Sequence, residues 1–542
     1  MDEHSRRRFL RLVGAAGAGV ALGTVPVAAA GERERFLIDL QEVDRSAVPG
    51  DVDIVHDLSA IDVLVAAGDP ESVGGAAATA PDVALNRHDD RWEGDWDGDD
   101  DDHGHGGPAR EHHDDDDDEE EEPKLPDYRS LQWDKHSQEL EEEVHEETRG
   151  RGSRLAVIDS GVADHPDLRR PLNERLSKNF TDDGENFRPN GAGDHGTHVA
   201  GIVAGTDDYR GPRGGILGTA PKTDLLALRV FSSEGGAATG DVMAALMYAA
   251  DKRCDAANVS LGFPLPFVYP DEYPELLTIK TLYERAVSYA NERGTVVVNS
   301  AGNDALDMDP ESVLSLPTEA EGVFAVSATG PIGYLWDDEE EGDGEWDHDE
   351  DDHWDRDDDD HWDDDGVDVE EALEHLRQPT TQPAIYTNYG GDVLDVSAEG
   401  GNYDPEAYAE ANDGDDDNPK WYYDLVVSTV TPNDDGTPGY GWKAGTSMAA
   451  PQVTGAVGLV RSLAPRMGVR EVEELVRSTA SDLGDPDYHG DGHLDLTALV
   501  DAAEDRDWHD DGWDDDDDDH DGDRGDDWDD DWDDDDRDDD HW

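Results

Sequence analysis

Between Arg154 and Leu463 the apolar positions fall in short solid runs rather than in strict alternation. Leu155–Ile158, Asp224–Val230, Ala256–Leu261, Thr295–Ser300 and Val323–Ser327 each read as a strand covered on both faces. Between them the period lengthens. Gly240–Asp251 sets Val242, Leu246 and Ala249–Ala250 on one helical face, and Ile279–Arg293 reads as a second helix. Thr446–Leu463 is a long, nearly all-apolar helix. Strands alternating with helices predict an α/β fold, a mostly parallel sheet with helices on both faces. In such folds catalytic groups gather at the carboxyl ends of the strands. Upstream, Phe36–Leu40, Val52–Asp57 and Pro81–Leu85 read as strands and Ser59–Ala67 as a helix, so residues 31–88 are expected to form a small α+β unit. Tyr128–Thr148 is polar and expected to be partly helical, with Trp133 as an apolar anchor.

Charge changes this picture in three places. The 542 residues carry 41 Lys+Arg against 138 Asp+Glu, a formal net charge of −97. Much of the excess lies in Asp89–Glu122, Asp337–Asp365 and Asp505–Trp542, which are Asp runs punctuated by Trp and His. Such tracts cannot bury enough surface to offset chain entropy, and disorder is expected of them. They divide the chain into an acidic linker (89–122), a main α/β unit (123–504) with an insertion at about 335–380, and a tail (505–542). A field of this sign repels phosphate backbones and anionic membranes, so nucleic acid and membrane surfaces are excluded as charge-driven partners. One cysteine, Cys254, excludes an intramolecular disulfide and a CxxC metal site. It reads as a small buried apolar residue.

The first thirty residues are a targeting segment. Ser5–Arg11 (SRRRFLR) precedes Leu12–Ala30, which carries no charge, is rich in Gly and Ala, and ends in three alanines. A twin arginine before a weakly hydrophobic run marks the Tat export route, with cleavage rather than retention as an anchor. The mature chain is then expected to be extracellular, without a stable membrane anchor.

Three short motifs carry the chemistry. Val157–Gly161 (VIDSG) ends a buried strand in Asp159. His195–Gly201 (HGTHVAG) opens a helix with His195. Gly445–Pro451 (GTSMAAP) opens another with Ser447. A serine hydroxyl is a weak nucleophile. It needs an imidazole to take its proton and a buried carboxylate to hold that imidazole in the right tautomer. A helix start at Ser447 offers a backbone N–H to a developing oxyanion. Asn303, in Ser300–Asn303 after a buried strand, offers a neutral side-chain donor.

These motifs, in the order Asp, His, Ser, resemble those of the subtilisin-like (S8, subtilase) serine proteases. The likeness runs from about Arg154 to Ala503 with the acidic insertion set aside. The resemblance implies that Asp159 orients, His195 is the general acid/base, Ser447 the nucleophile and Asn303 an oxyanion donor. It implies peptide-bond hydrolysis through an acyl-enzyme, with no cofactor required for the chemistry. It also implies substrate strands pairing with Gly235, Gly236 and Ala237 on one side and with Ser260, Leu261 and Gly262 on the other, a backbone pairing that reads little sequence. Phe263, Pro264 and Pro266 depart from the family pattern, which leaves primary specificity open. Residues 36–89 resemble the family's inhibitory propeptide, so the chain's own N-terminal unit is an expected intramolecular partner beside protein and peptide substrates. With Tat export and extreme acidity, the chain is similar to the halolysin-type secreted proteases of haloarchaea, and a monomer is expected.

His198, three residues after His195, reads as a packed structural histidine. His165–Leu168 (HPDL) resembles a family segment whose Asp can bind calcium, which makes Asp167 a candidate ligand for a structural ion, with Asp207 and Asp208 in the following long loop. Two rivals stand beside broad-specificity proteolysis. One is a selective processing protease for basic substrates steered by the acidic insertion. The other is a non-catalytic, cation-binding acidic protein on a protease fold.

Overall fold

A computed structural model describes residues 29–30, 33–73, 78–87, 126–233, 236–263, 275–310, 314–336, 367–413, 420–433 and 435–510. The expected export segment before Ala29, the linker tract, the central acidic tract, the tail beyond Asp510 and Gly235 lie outside the described residues.

Residues 154–510 build the expected architecture. Strands β6 (Arg154–Asp159), β7 (Lys178–Asn179), β8 (Asp224–Arg229), β10 (Ala256–Val259), β12 (Val296–Ser300), β13 (Val323–Thr329) and β14 (Val396–Glu399) form one sheet, parallel throughout, in the order β14-β13-β12-β10-β6-β8-β7. Alternate residues of each strand feed two different cores. Leu155, Val157, Leu225, Ala227, Val296 and Val298 face helices α1 (His195–Ala204) and α4 (Thr446–Leu463). Ala156, Ile158, Leu226, Leu228 and Val297 face α2 (Thr239–Asp251) and α3 (Glu275–Asn291). A strand with apolar side chains on both faces has no alternation, which is why solid runs were the signal. On the first face lie also α5 (Val469–Thr479), α6 (Leu496–Asp510) and the antiparallel hairpin β15 (Val426–Val430) and β16 (Gly439–Lys443). The helix α6 runs on to Asp510, so the first six residues assigned to an acidic tail are helical.

The central acidic tract interrupts the chain cleanly. Ile332 and Gln378 pair antiparallel, each N–H donating to the other's carbonyl at 3.2 and 3.0 Å, so the ends of the excursion meet.

The N-terminal unit comprises β1 (Arg33–Asp39), β2 (Asp53–Leu58), β3 (Val63–Ala67), β4 (Thr79–Pro81) and β5 (Ala84–Arg87). The first four pair in the order β4-β1-β3-β2. The helix expected over Ser59–Ala67 is absent. A single 3-10 turn, Ser59–Ile61, leads through Asp62 at φ 59° into β3. Val63 and Val65 are β-branched, and all five residues of β3 are buried, which erased the period that would have marked a strand. Trp133 is fully buried, as expected, and its indole N–H donates to the Leu425 carbonyl at 3.0 Å.

Candidate active site

Asp159 ends β6 at the carboxyl edge of the sheet and is wholly buried. Its two carboxylate oxygens lie 2.9 and 2.8 Å from Nδ1 of His195, the first residue of α1. An acceptor-only carboxylate against Nδ1 puts the proton on that nitrogen and leaves Nε2 as the basic one. The Ser160 N–H also donates to Asp159, at 2.6 Å, and Ser160 Oγ accepts the Gly196 N–H. Gly196 is required by this closeness: a Cβ there would stand 2.5 Å from the Gly161 carbonyl and 3.0 Å from the Asp159 side chain.

Ser447 is the second residue of α4, which packs directly on α1. Its hydroxyl lies 3.5 Å from the Ser260 carbonyl, and Ser260 Oγ donates to the Ser447 carbonyl at 3.2 Å. Both residues are buried, and Ser447 sits in the first turn of α4, where backbone N–H groups have no partner within the helix. Asn303 follows β12. Its Oδ1 accepts from the Thr446 N–H and hydroxyl, both at 2.9 Å, while the same hydroxyl accepts the Gly302 N–H. With Oδ1 occupied twice, the amide can turn only one way, and its Nδ2 is buried with no hydrogen-bond partner among the described residues. Thr446 therefore aims a donor beside Ser447, a role that sequence reasoning missed although the residue lay inside a quoted motif. Asn388 was missed altogether. It holds the Asn303 loop by accepting from the Asp304 and Leu306 N–H groups and donating to the Ala301 carbonyl.

His198 is structural. Its Nε2 lies 3.1 Å from two carbonyls, those of Val426 and Gly441, so it carries the proton and ties α1 to the hairpin. Burial, and then the nearby Lys443 cation, push it down to about 3. Burial pushes the Asp194 carboxyl up, but Lys443 at 3.1 Å outweighs it and holds the group below the usual carboxylate range. Cys254 is buried, and burial pushes its thiol up, away from a nucleophile's range.

The expected substrate-pairing segments are occupied by the chain itself. Strand β5 lies between β9 (Ala237–Ala238) and β11 (Leu261–Gly262) and is antiparallel to both. Leu85 faces Ala237, Ala84 faces Ala238, Arg87 faces Leu261 and Asn86 faces Gly262. Gly236 is exposed at the edge of this pairing, and Ser260 precedes it. Leu85 is buried in one core with Ile279, Tyr283 and Leu316, and with Thr239, Phe263 and Pro317 these residues line a small space. The unit is pinned by charge as well. Buried Arg35 bridges Asp82 and Asp241 at 2.8 and 2.6 Å, and Arg285 grips Asp39 with two bonds of 2.8 and 2.9 Å. Asp82 also accepts the Gly240 N–H, capping α2 from outside.

Asp167 does not fit a calcium site. Its Oδ1 accepts the Asp208 and Tyr209 N–H groups at 2.7 and 2.8 Å. Its Oδ2 accepts the Ile216 N–H at 3.1 Å and the Tyr440 hydroxyl at 2.7 Å. Four donors fill the four lone pairs a cation would need. The carboxylate is the anchor of the 206–217 loop instead. Asp208 pairs with Arg170, and Asp207 accepts the Gly215 N–H. Among the described residues no group of three or more metal-ligating side chains comes together.

A sequence model of the Subtilase family matches residues 150–497. The chain is 27% identical over 355 residues to subtilisin BL of Lederbergia lenta, covering 65% of this chain and 91% of that one. Among solved structures it is similar to the epidermin leader peptide processing serine protease of Staphylococcus aureus, with TM-score 0.60 and 16% identity over 87% of this chain and 99% of that one. It is also similar to fervidolysin of Fervidobacterium pennivorans, a keratinolytic enzyme, with TM-score 0.54 and 20% identity over 89% of this chain and 62% of that one. Among the described residues no helix is long and apolar enough to cross a membrane.

Proposed function

The chain belongs to the subtilase family and is a subtilisin-like serine endopeptidase, and from that premise we propose which residues carry its chemistry and how it is held in check. Ser447 attacks the scissile carbonyl. His195 takes the hydroxyl proton on Nε2 and returns it to the leaving amine. Asp159 holds the tautomer and stabilises the imidazolium. The Asn303 amide and the backbone N–H of Ser447 bind the oxyanion. Acyl-enzyme formation is followed by attack of water along the same path. The single observation that supports this most is the bidentate approach of Asp159 to His195 Nδ1 at 2.8–2.9 Å.

Residues 33–87 act as an inhibitory propeptide, because β5 fills the place of a substrate strand and leads the chain toward Ser447. Cleavage within the few residues after Arg87 gives the mature N-terminus. Export by the Tat route, adaptation to high salt and broad specificity complete the reading, the first supported by Ser5–Ala30 and the second by the net charge of −97. A narrower specificity is favoured by one observation, the burial of Leu85 against Ile279, Tyr283 and Leu316, which selects an aliphatic side chain four residues or so before the cut. Ser447→Ala should abolish casein hydrolysis and fluorophosphonate labelling and leave the chain uncut after Arg87. Hydrolysis near the wild-type level in that variant would remove the assignment.

A further inference from the structure

In a chain where acids outnumber bases more than threefold, one face of the molecule reverses the balance. It lies at the amino ends of the parallel strands, opposite the edge that carries Asp159. Two adjoining clefts of about 430 and 400 Å³ open there, just ahead of β6, β8 and β10. Six cations line them, Arg154, Arg170, Lys222, Arg253, Arg293 and Arg461, against three carboxylates, Asp224, Asp251 and Asp255. The carboxylates are engaged: Asp224 by Arg154 at 2.8 Å, Asp251 by Arg293 and Asp255 by Arg461, both at 3.8 Å. Arg170 turns to Asp208. Lys222 and Arg253 have no ion-pair partner among the described residues.

We propose that this seam is the docking site of the chain's own Asp-rich tail, residues 511–542. The position of the tail's root supports it. Midway along α6, Glu504 lies beside Glu147. Two residues on from Glu147, the Arg149 carbonyl accepts the Lys222 N–H at 2.9 Å, and Thr148 bonds Ser462, the neighbour of Arg461. The helix that leads to the tail therefore packs against the 147–149 segment, which borders the clefts. The other two acidic tracts leave from the opposite edge: the linker follows Arg87 in the substrate-pairing groove, and the insertion follows Trp336, shortly after the carboxyl end of β13. Residues 511–542 carry 21 Asp and 2 Arg. At roughly 3.3 Å per extended residue they span far more than the two clefts. Opposite charge at low dielectric edges draws the tail in, and Arg and Lys meet carboxylates with charge-assisted hydrogen bonds.

The full chain carrying Ser447→Ala, which keeps the tail from self-digestion, gives the test. A water-soluble carbodiimide at about 0.1 M salt joins lysine amines to carboxylates only in direct contact, and peptide mapping of the monomer fraction by mass spectrometry locates the links. Lys222 should be joined to Asp residues within 511–542. Arg253→Ser should lower the yield at least threefold, and molar KCl should do the same. Links from Lys222 to residues 89–122 or 337–365, links found only between two molecules, or no link from Lys222 would each overturn the proposal.

Discussion

Leu85→Ala should loosen the enzyme's grip on its own N-terminal unit by about two orders of magnitude. The Leu85 side chain is 1% exposed and packs in one core with Ile279, Tyr283 and Leu316. Losing three carbon atoms costs roughly 2–2.5 kcal/mol at about 0.8 kcal/mol per methylene. The cavity left behind raises the cost toward roughly 3–5 kcal/mol. At 1.4 kcal/mol per tenfold, docking weakens by at least ~100-fold. The processed complex, serially diluted and assayed with a fluorogenic peptide, reports this as the concentration at which half the activity appears. Ile54→Ala, at a position 40% exposed on β2, is the control and should leave that concentration in place. A shift below threefold for Leu85→Ala would show that this packing contributes nothing to latency, and with it the basis for aliphatic selection would fall.

Three other outcomes follow from the geometry. Asn303→Ala should lower kcat by ~10²–10³ with little change in KM, because the donor meets charge present only in the transition state; a raised KM with kcat unchanged would point to substrate binding instead. In the Ser447→Ala background, acid should destabilise the fold through its buried neutral histidines. His198 falls to about 3, and His145, His165 and His489 to about 4, each chiefly through burial. Their folded values lie below the unfolded ~6.5, so the unfolded chain binds protons first, and the stability present above that pH is lost as it falls toward 4. His198→Gln should recover roughly 2–3 kcal/mol of the loss between pH 7.5 and 4.5 in urea titrations; an unchanged pH slope would contradict the burial argument. Asp167→Ala should lower the melting temperature by several degrees, since it orphans four donors, and a chelator should not reproduce that loss; a chelator effect as large in wild type and absent in the variant would restore a cation there.

The parts of this molecule legible from sequence were those where one residue's neighbours in the chain decide its fate. The limits of α4 were read as Thr446–Leu463 and found so, because an unbroken apolar run of small residues has one comfortable structure. Asp159 was readable because it ends such a run. The role of Thr446 was not, since it depends on Asn303, 143 residues away. Asp167 was misjudged for the same reason. Its partners come from a loop about 40 residues on and from Tyr440, and nothing local says that four donors converge on it. Ser59–Ala67 failed in the opposite way: burial on every side removed the period, and only β-branching remained to argue for a strand.

The clasp between Ile332 and Gln378 has a meaning for how this fold changes over time. Two hydrogen bonds close the neck of the excursion, so β13 and β14 keep their spacing whatever lies beyond it. Doubling the length of such a loop adds only about 0.6 kcal/mol of closure entropy. The site is a graft port: a lineage, or an experimenter, can exchange the sequence there for another of different length and charge while the catalytic scaffold stays untouched.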